Sequence, residues 1–503
     1  MPDTTQHDLP RRDTADIATA PRRIHVAHVA FPDFWHTTLE NPVKTALGAA
    51  SLALALGAVA ATVAPAAADA AGTKSAGTSE LKTADVSFRT SDGQTLGGRI
   101  FEPANATGKL PGLLLVHGSG QGNKWSELQK EAEEFAKQGM VVLAPDKRSV
   151  GYSKLNRDYS QLADDALKAF AVLRNRPEVD PAKTGVWGLS EGGWVAPIAV
   201  TRNSEIKFMI TVGGPGLEPL RTQAWNMANK VDRAGIEGSA RTLLNERFYR
   251  VGADAGMFPE AHYDPVPTLK KIHQPVLALW GAEDNQIPPA ESAEVFSKTL
   301  PGSVTIKFFP HAPHALWAGG REAADELVPG YAETVGAWVR DVTGGHVPAS
   351  SADPLPAQPT RSVPLPESAW WEGWQAQLIV LVLLIVAFAT YPVAALVRRR
   401  RGGTGGSWPA RILAASGLIS VPLSVYAAVS MIGSANGHGI DLGPLIAGRP
   451  ILWLVVQLLA FTTLISTVVT ATRLRTARLR EWVLITGGLL FIPWALYWGQ
   501  LLP

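Results

Sequence analysis

From Gln375 onward the chain carries four runs of 21 to 23 residues without Asp, Glu, Lys, Arg or His: Gln375–Val397, Ile412–Ile432, Ile451–Thr472 and Trp482–Leu502. A 23-residue helix is about 34 Å long at about 1.5 Å per residue, enough to cross a hydrocarbon core of roughly 30 Å. Four such runs in the last quarter of the chain exclude a wholly soluble fold and predict a membrane region over 375–502. Arg398 to Arg401 follow the first run, and Arg473, Arg475, Arg478 and Arg480 separate the third from the fourth. Basic loops stay on the cytoplasmic side, so everything before Gln375 is expected outside, as is the segment from Gly433 to Pro450. Trp370, Trp371 and Trp374 at one edge, with Trp482 and Trp498 flanking the last run, fit interfacial aromatic belts. The runs hold Pro422, Pro493 and Gln457 but no charged side chain, which argues against an ion relay. One span would anchor the chain; four leave room for an oligomer, a membrane partner or lateral entry of a lipid-like substrate.

The other end points the same way. After a polar stretch over 1–42, expected to be disordered, Lys44 precedes an apolar run from Ala46 to Val63, and Ala68-Asp69-Ala70 offers a small-x-small cleavage site. That order predicts an export signal over 43–70, cleaved or retained as an anchor. A translation start at Val43, read as an initiator, would account for the extension before it. Cysteine is absent, which removes disulfides, thiol catalysis and Cys-ligated metals. With 18% charged residues and a net charge of +2, no nucleic-acid partner is indicated, since the basic residues that cluster sit beside apolar spans.

Between signal and membrane, residues 82–343 are long enough for one large core. Residues 344–369 contain Pro348, Pro354, Pro356, Pro359, Pro364 and Pro366, a composition that predicts a semi-extended spacer holding the domain off the bilayer. Within the domain, Val86–Thr90 and Thr95–Phe101 flank the turn signal Ser91-Asp92-Gly93. Short, wholly apolar runs such as Leu113–Val116 read as parallel strands buried on both faces. Further strands are predicted at 140–144, 185–189, 208–212, 276–280 and 304–309, with helices at 128–136, 162–173, 194–202 and from about 323 to 342. An antiparallel opening followed by alternating strand and helix predicts an α/β fold with a doubly wound, mostly parallel sheet.

One segment of that domain carries chemistry. Gly188-Leu189-Ser190-Glu191-Gly192 is the single G-x-S-x-G in the chain, and it falls between a strand and a helix. A sharp turn there lifts a serine hydroxyl clear of a sheet, and glycines are needed where side chains would strike backbone. Three more motifs each end a predicted strand: His117-Gly118-Ser119-Gly120, Asp146 to Ser153, and the pair Gly281-Ala282-Glu283-Asp284 with His311-Ala312-Pro313-His314. In this order, over about half of the chain, the pattern resembles the α/β-hydrolase superfamily, in particular its dienelactone-hydrolase-like and prolyl-oligopeptidase-like branch.

The resemblance implies a Ser190 nucleophile, His314 as its base and Asp284 orienting the imidazole. His311 and Glu283 compete for the last two roles. The family's histidine follows a small or flexible segment after its strand, and its acid stands three residues after the glycine, which favours His314 and Asp284. The backbone N–H groups of Ser119 and Glu191 would form the oxyanion hole. His117 reads as packing beneath the loop, and Asp146–Ser153 as scaffold, with Arg148 available to a substrate. The stretch from Gly216 to Lys270, with Trp225, Met227, Phe248, Tyr249, Met257, Phe258 and Tyr263, is the expected cap, its aromatics either lining an acyl pocket or packing the cap. No metal-ligand spacing and no phosphate-binding glycine loop occurs, so neither metal nor other cofactor is expected. The expectation is a membrane-bound esterase with its domain outside the cell, acting on a small-molecule ester; a short-peptide substrate and a non-catalytic binding module are the alternatives.

Overall fold

The computed structural model describes residues 81–153, 155–319, 326–400, 407–435, 440–472 and 478–503. The extension 1–42 with its start at Val43, the export signal 43–70, and Arg401, Arg473 and Arg475 lie outside the described residues.

The first hairpin forms where the turn signal stands: β1 (Leu81–Arg89) pairs antiparallel with β2 (Thr95–Pro103), Arg89 opposite Thr95, with Gly93 at φ 87° in the turn. β3 (Leu110–Val116), β4 (Val141–Pro145), β5 (Val179–Leu189), β6 (Met209–Val212), β7 (Val276–Gly281) and β8 (Val304–Phe309) follow, in the sheet order β1-β2-β4-β3-β5-β6-β7-β8. Only β1 and β2 run antiparallel to their neighbours. Both sheet faces are buried, which is why the middle strands are apolar at successive positions. On β3, Leu114 and Val116 face one core, Leu113 and Leu115 the other. The first core is covered by α2 (Tyr159–Arg174), α3 (Gly192–Arg202) and α8 (Pro289–Thr299), the second by α1 (Gln129–Lys137) and α9 (Tyr331–Thr343). The last of these starts later than predicted. Residues 323–325 lie outside the described residues; Leu327 bridges to Trp317, and the helix waits for Pro329-Gly330, where Gly330 at φ 82° closes the turn.

Between β6 and β7 stands the cap: α4 (Pro219–Arg233), α5 (Gly238–Thr242), a π turn Leu243–Arg247, α6 (Phe248–Asp254) and α7 (Val266–Leu269). Behind it lie α10 (Trp374–Arg400), α11 (Trp408–Gly433), α12 (Ile451–Ala471) and α13 (Leu479–Tyr497), four helices long and apolar enough to cross a membrane. A short hairpin of β10 (Leu445–Ile446) and β11 (Arg449–Pro450) joins α11 to α12. The fourth helix stops at Tyr497 rather than Leu502, because Gly499 at φ 76° turns the chain aside. Trp498 Nε1 donates to Gln377 Oε1 (2.9 Å), and the Arg480 guanidinium lies 5.0 Å from the Tyr391 ring, so α10 and α13 run antiparallel.

The predicted spacer is the largest departure from the sequence reading. Residues 344–369 are extended, as their prolines require, but docked. Ser351–Ala352, β9, adds to the sheet beside β8. Farther on, the buried Glu291 of α8 accepts from Ser362 N (2.8 Å), Ser362 Oγ (3.0 Å), Gln358 Nε2 (2.6 Å) and Arg221 (3.0 Å). Trp225 Nε1 donates to the Thr360 carbonyl (2.8 Å), and Leu365 is buried with Leu220, Ala224 and Ala261. A buried carboxylate needs this many donors, and composition cannot reveal that the prolines carry them to it. Nor is the domain held away from the apolar helices. Met227, Val231, Ile236 and Leu243 of the cap share a core with Ala427, Met431, Trp453 and Val456. Ser239 clasps that contact, its backbone donating to Pro503 O (3.1 Å) and its hydroxyl accepting from Trp453 Nε1 (3.2 Å).

Candidate active site

β5 ends at Leu189, α3 begins at Gly192, and Ser190 sits between them at φ 54°, a left-handed conformation that costs a non-glycine residue energy and is held here by its surroundings. The Ser190 N–H donates to Val212 O on β6 (2.9 Å), anchoring the turn to the sheet. The glycines are sterically required: a Cβ on Gly188 would lie 2.3 Å from Gly192 O, and one on Gly192 2.6 Å from Val116 O.

Loops from the ends of three other strands meet this turn. Ser190 lines a cavity of about 220 Å³ with Gly118, Ser119, Leu189, Gln286, Pro313, His314, Ala315 and Trp317. His314 Nδ1 donates to Asp284 Oδ2 (2.7 Å), and both residues are buried. The other oxygen of Asp284 accepts from the backbone of Gln286 and Ile287, 2.9 Å each, so the carboxylate cannot rotate without losing bonds. Among the described residues His314 Nε2 has no hydrogen-bond partner, Ser190 Oγ included. The competing pair finds itself on the surface: His311 Nδ1 meets Glu283 Oε1 (2.9 Å), with the histidine side chain 91% exposed. Gly213, which the sequence reading did not single out, makes room for the imidazole; at φ 55° its Cβ would stand 2.7 Å from His314 Cε1.

Neither the Ser119 nor the Glu191 backbone N–H is used in a hydrogen bond among the described residues. The Glu191 side chain has a place the sequence reading missed altogether. It is 2% exposed and accepts from Lys147 Nζ (2.6 Å) and Tyr152 OH (2.8 Å), with Arg157 3.1 Å from its second oxygen. Burial pushes the Lys147 ammonium below the ordinary lysine range, opposed by the charge of Glu191. An acidic residue directly after the nucleophile, on a turn that cannot face water, was the available signal. His117 is structural as expected, donating from Nε2 to the Pro145 carbonyl (2.7 Å). Arg148 is not open to a substrate: at 1% exposed it is forked onto Asp165 (2.5 and 2.8 Å) and Asp92 (3.0 and 3.2 Å). The cap aromatics pack rather than line the cavity. Tyr263 stands edge-on to Tyr159, Tyr249 to Phe258, and Met227 meets the apolar helices. Among the described residues no cluster of three or more His, Asp or Glu side chains is placed to hold a metal ion.

Residues 126–328 match the model of the prolyl oligopeptidase family. A polyketide transferase of Penicillium crustosum, claH, is 34% identical over 132 residues, 25% of this chain and 43% of that one. The uncharacterized peptidase YtmA of Bacillus subtilis is 25% identical over 201 residues, 39% of this chain and 72% of that one. Among solved structures, the dienelactone hydrolase of Anabaena variabilis superposes with a TM-score of 0.35 at 18% identity, covering 52% of this chain and 97% of that one. The sheet order, the strand-serine-helix turn and the family match over residues 126–328 support an α/β-hydrolase serine hydrolase, followed by helices apolar enough to span a membrane.

Proposed function

We propose that this chain is a membrane-tethered serine hydrolase that cleaves carboxylic esters through an acyl-enzyme on Ser190. The observation that carries the reading is the buried His314–Asp284 pair, whose histidine lines the same cavity as Ser190. Ser190 Oγ attacks the carbonyl carbon while His314 Nε2 takes its proton, and Asp284 stabilises the imidazolium. The negative charge that develops on the carbonyl oxygen is received by the N–H groups of Ser119 and Glu191. His314 then gives the proton to the departing alcohol, and a water, deprotonated by the same nitrogen, releases the acid.

Among the described residues, His314 is the one ionisable side chain that lines the cavity. An uncharged ester needs no counter-charge there, whereas a short peptide would bring a terminal ammonium or carboxylate to a neutral wall. The family match and YtmA favour a second reading, a peptidase on the same machinery. An extracytoplasmic domain is supported by charge: Arg398 to Arg400 and Arg480 sit at the ends of α10 and α13 opposite to those that meet the cap.

Labelling of the full chain with a fluorophosphonate tests the mechanism. Wild type should label and Ser190→Ala should not; label persisting in Ser190→Ala sinks the nucleophile, and an unlabelled folded wild type favours a binding module. p-Nitrophenyl esters of graded length against aminoacyl anilides separate esterase from peptidase.

A further inference from the structure

The buried ion pair beneath Ser190 has no part in the mechanism above. Lys147 Nζ has three protons, and three groups surround it: the Gly118 carbonyl at 2.7 Å, Glu191 Oε1 at 2.6 Å and the face of Tyr152 with its centroid at 4.0 Å. A lysine this buried is costly, and this one is spent on the backbone carbonyl of the loop that lines the cavity. The Gly118 carbonyl and the Ser119 N–H belong to one peptide group. In a trans peptide they point in opposite directions. Ser119 lines the Ser190 cavity and Lys147 does not, and a carbonyl held toward Lys147 turns the Ser119 N–H away from that ammonium.

The neighbouring peptides are bound from the same segment. Gly120 N donates to Tyr152 OH (3.4 Å), and Lys147 N donates to Asn123 O (2.8 Å). Glu191, the counter-charge of Lys147, is also the residue whose own N–H is the second expected donor. One ion pair therefore joins the two halves of the oxyanion hole.

We propose that Lys147 is a positioning residue: its ammonium fixes the Gly118–Ser119 peptide plane and polarises it, so that the Ser119 N–H is aimed and strengthened as an oxyanion donor, with Glu191 setting its distance from the second donor. A cation on the oxygen end of a peptide draws charge from the nitrogen end, as in any charge-assisted hydrogen bond. The inference rests on the serine-hydrolase reading.

The test uses the full chain in detergent, with active sites titrated by fluorophosphonate and p-nitrophenyl ester kinetics measured per titrated site. Lys147→Met removes the grip while Glu191 keeps Arg157 and Tyr152, and Lys147→Arg, which returns a cation to the Gly118 carbonyl, is the rescue variant that guards against simple misfolding. Loss of one oxyanion donor costs about 10²- to 10³-fold in kcat; a donor present but misaimed should cost about 10- to 100-fold, with KM within about threefold of wild type. A merely structural pair would lower the number of titratable sites and leave kcat per site unchanged. A kcat per site within about twofold of wild type, or a loss confined to KM, overturns the proposal while the hydrolase reading stands. A folded wild type that neither labels nor hydrolyses overturns both.

Discussion

Replacing Asp284 by Asn should nearly abolish hydrolysis without unfolding the domain, and the structure says why. One carboxylate oxygen accepts two backbone N–H groups, from Gln286 and Ile287, at 2.9 Å each, and the other accepts His314 Nδ1–H at 2.7 Å. An amide has one acceptor oxygen. If that oxygen serves the two backbone donors, the NH2 group faces His314 and donates to Nδ1, which moves the imidazole proton to Nε2. That tautomer cannot accept the proton of Ser190. The flipped amide keeps the correct tautomer but leaves two buried N–H groups without an acceptor, at about 1–3 kcal/mol each. A cost of about 2–6 kcal/mol corresponds to an active fraction between about 1 in 30 and 1 in 20,000, at about 1.4 kcal/mol per tenfold. The expectation is a kcat reduced by about 30- to 20,000-fold for p-nitrophenyl ester hydrolysis, with the melting temperature close to wild type, since every backbone donor stays satisfied. An Asp284→Asn enzyme keeping more than about a tenth of wild-type kcat would refute the tautomer argument, and with it the role of Asp284.

Gly192→Ala places a Cβ 2.6 Å from Val116 O; we expect ester hydrolysis to fall more than about tenfold and stability by about 1–3 kcal/mol, and wild-type values for both would contradict the packing described. Glu291→Ala strips the acceptor from Arg221, Ser362 and Gln358, so hydrogen exchange over 358–365 should rise sharply while the sheet stays protected; unchanged protection would mean the segment is held by other contacts. The Arg148 hydrogen bonds, helped by Thr90 and Gln94, hold the Asp92 carboxyl well below the usual carboxylate range. A depressed folded-state pKa stabilises fully above the unfolded value near about 4 and is lost as pH falls below it. The stability difference between wild type and Asp92→Asn should therefore be present at pH 7 and narrow below pH 4 in denaturant titrations; a difference that widens on acidification would reverse the sign assigned here.

The sheet was legible because its strands are buried on both faces and its turns carry Gly and Pro at the ends. Leu113 to Val116 and Gly185 to Leu189 read as strands from apolarity alone, and the elbow glycines mark a turn that admits no side chain. The choice of His314 over His311 was legible only through resemblance, since both stand on one loop; in the structure burial separates them. What stayed hidden were partnerships across long sequence separations. Lys147 and Glu191 are 44 residues apart, and nothing local to either announces the other. Glu291 and Ser362 are 71 apart, and the prolines around Ser362 advertise extension, not attachment. Likewise the start of α9 depended on Gly330, whose left-handed turn outweighs the helical pattern before it.

The docked linker changes how this domain searches for substrate. A free 26-residue polyproline-like tether over 344–369 would reach about 80 Å at about 3.1 Å per residue, and its cargo would sweep a hemisphere of solution. With Glu291 gripping the segment and Met227, Val231 and Leu243 seated on α11 and α12, that volume collapses. Under the proposed membrane tethering, Ser190 is carried at one height above the ends of the apolar helices, and a substrate partitioned into that layer would be met by two-dimensional rather than three-dimensional diffusion.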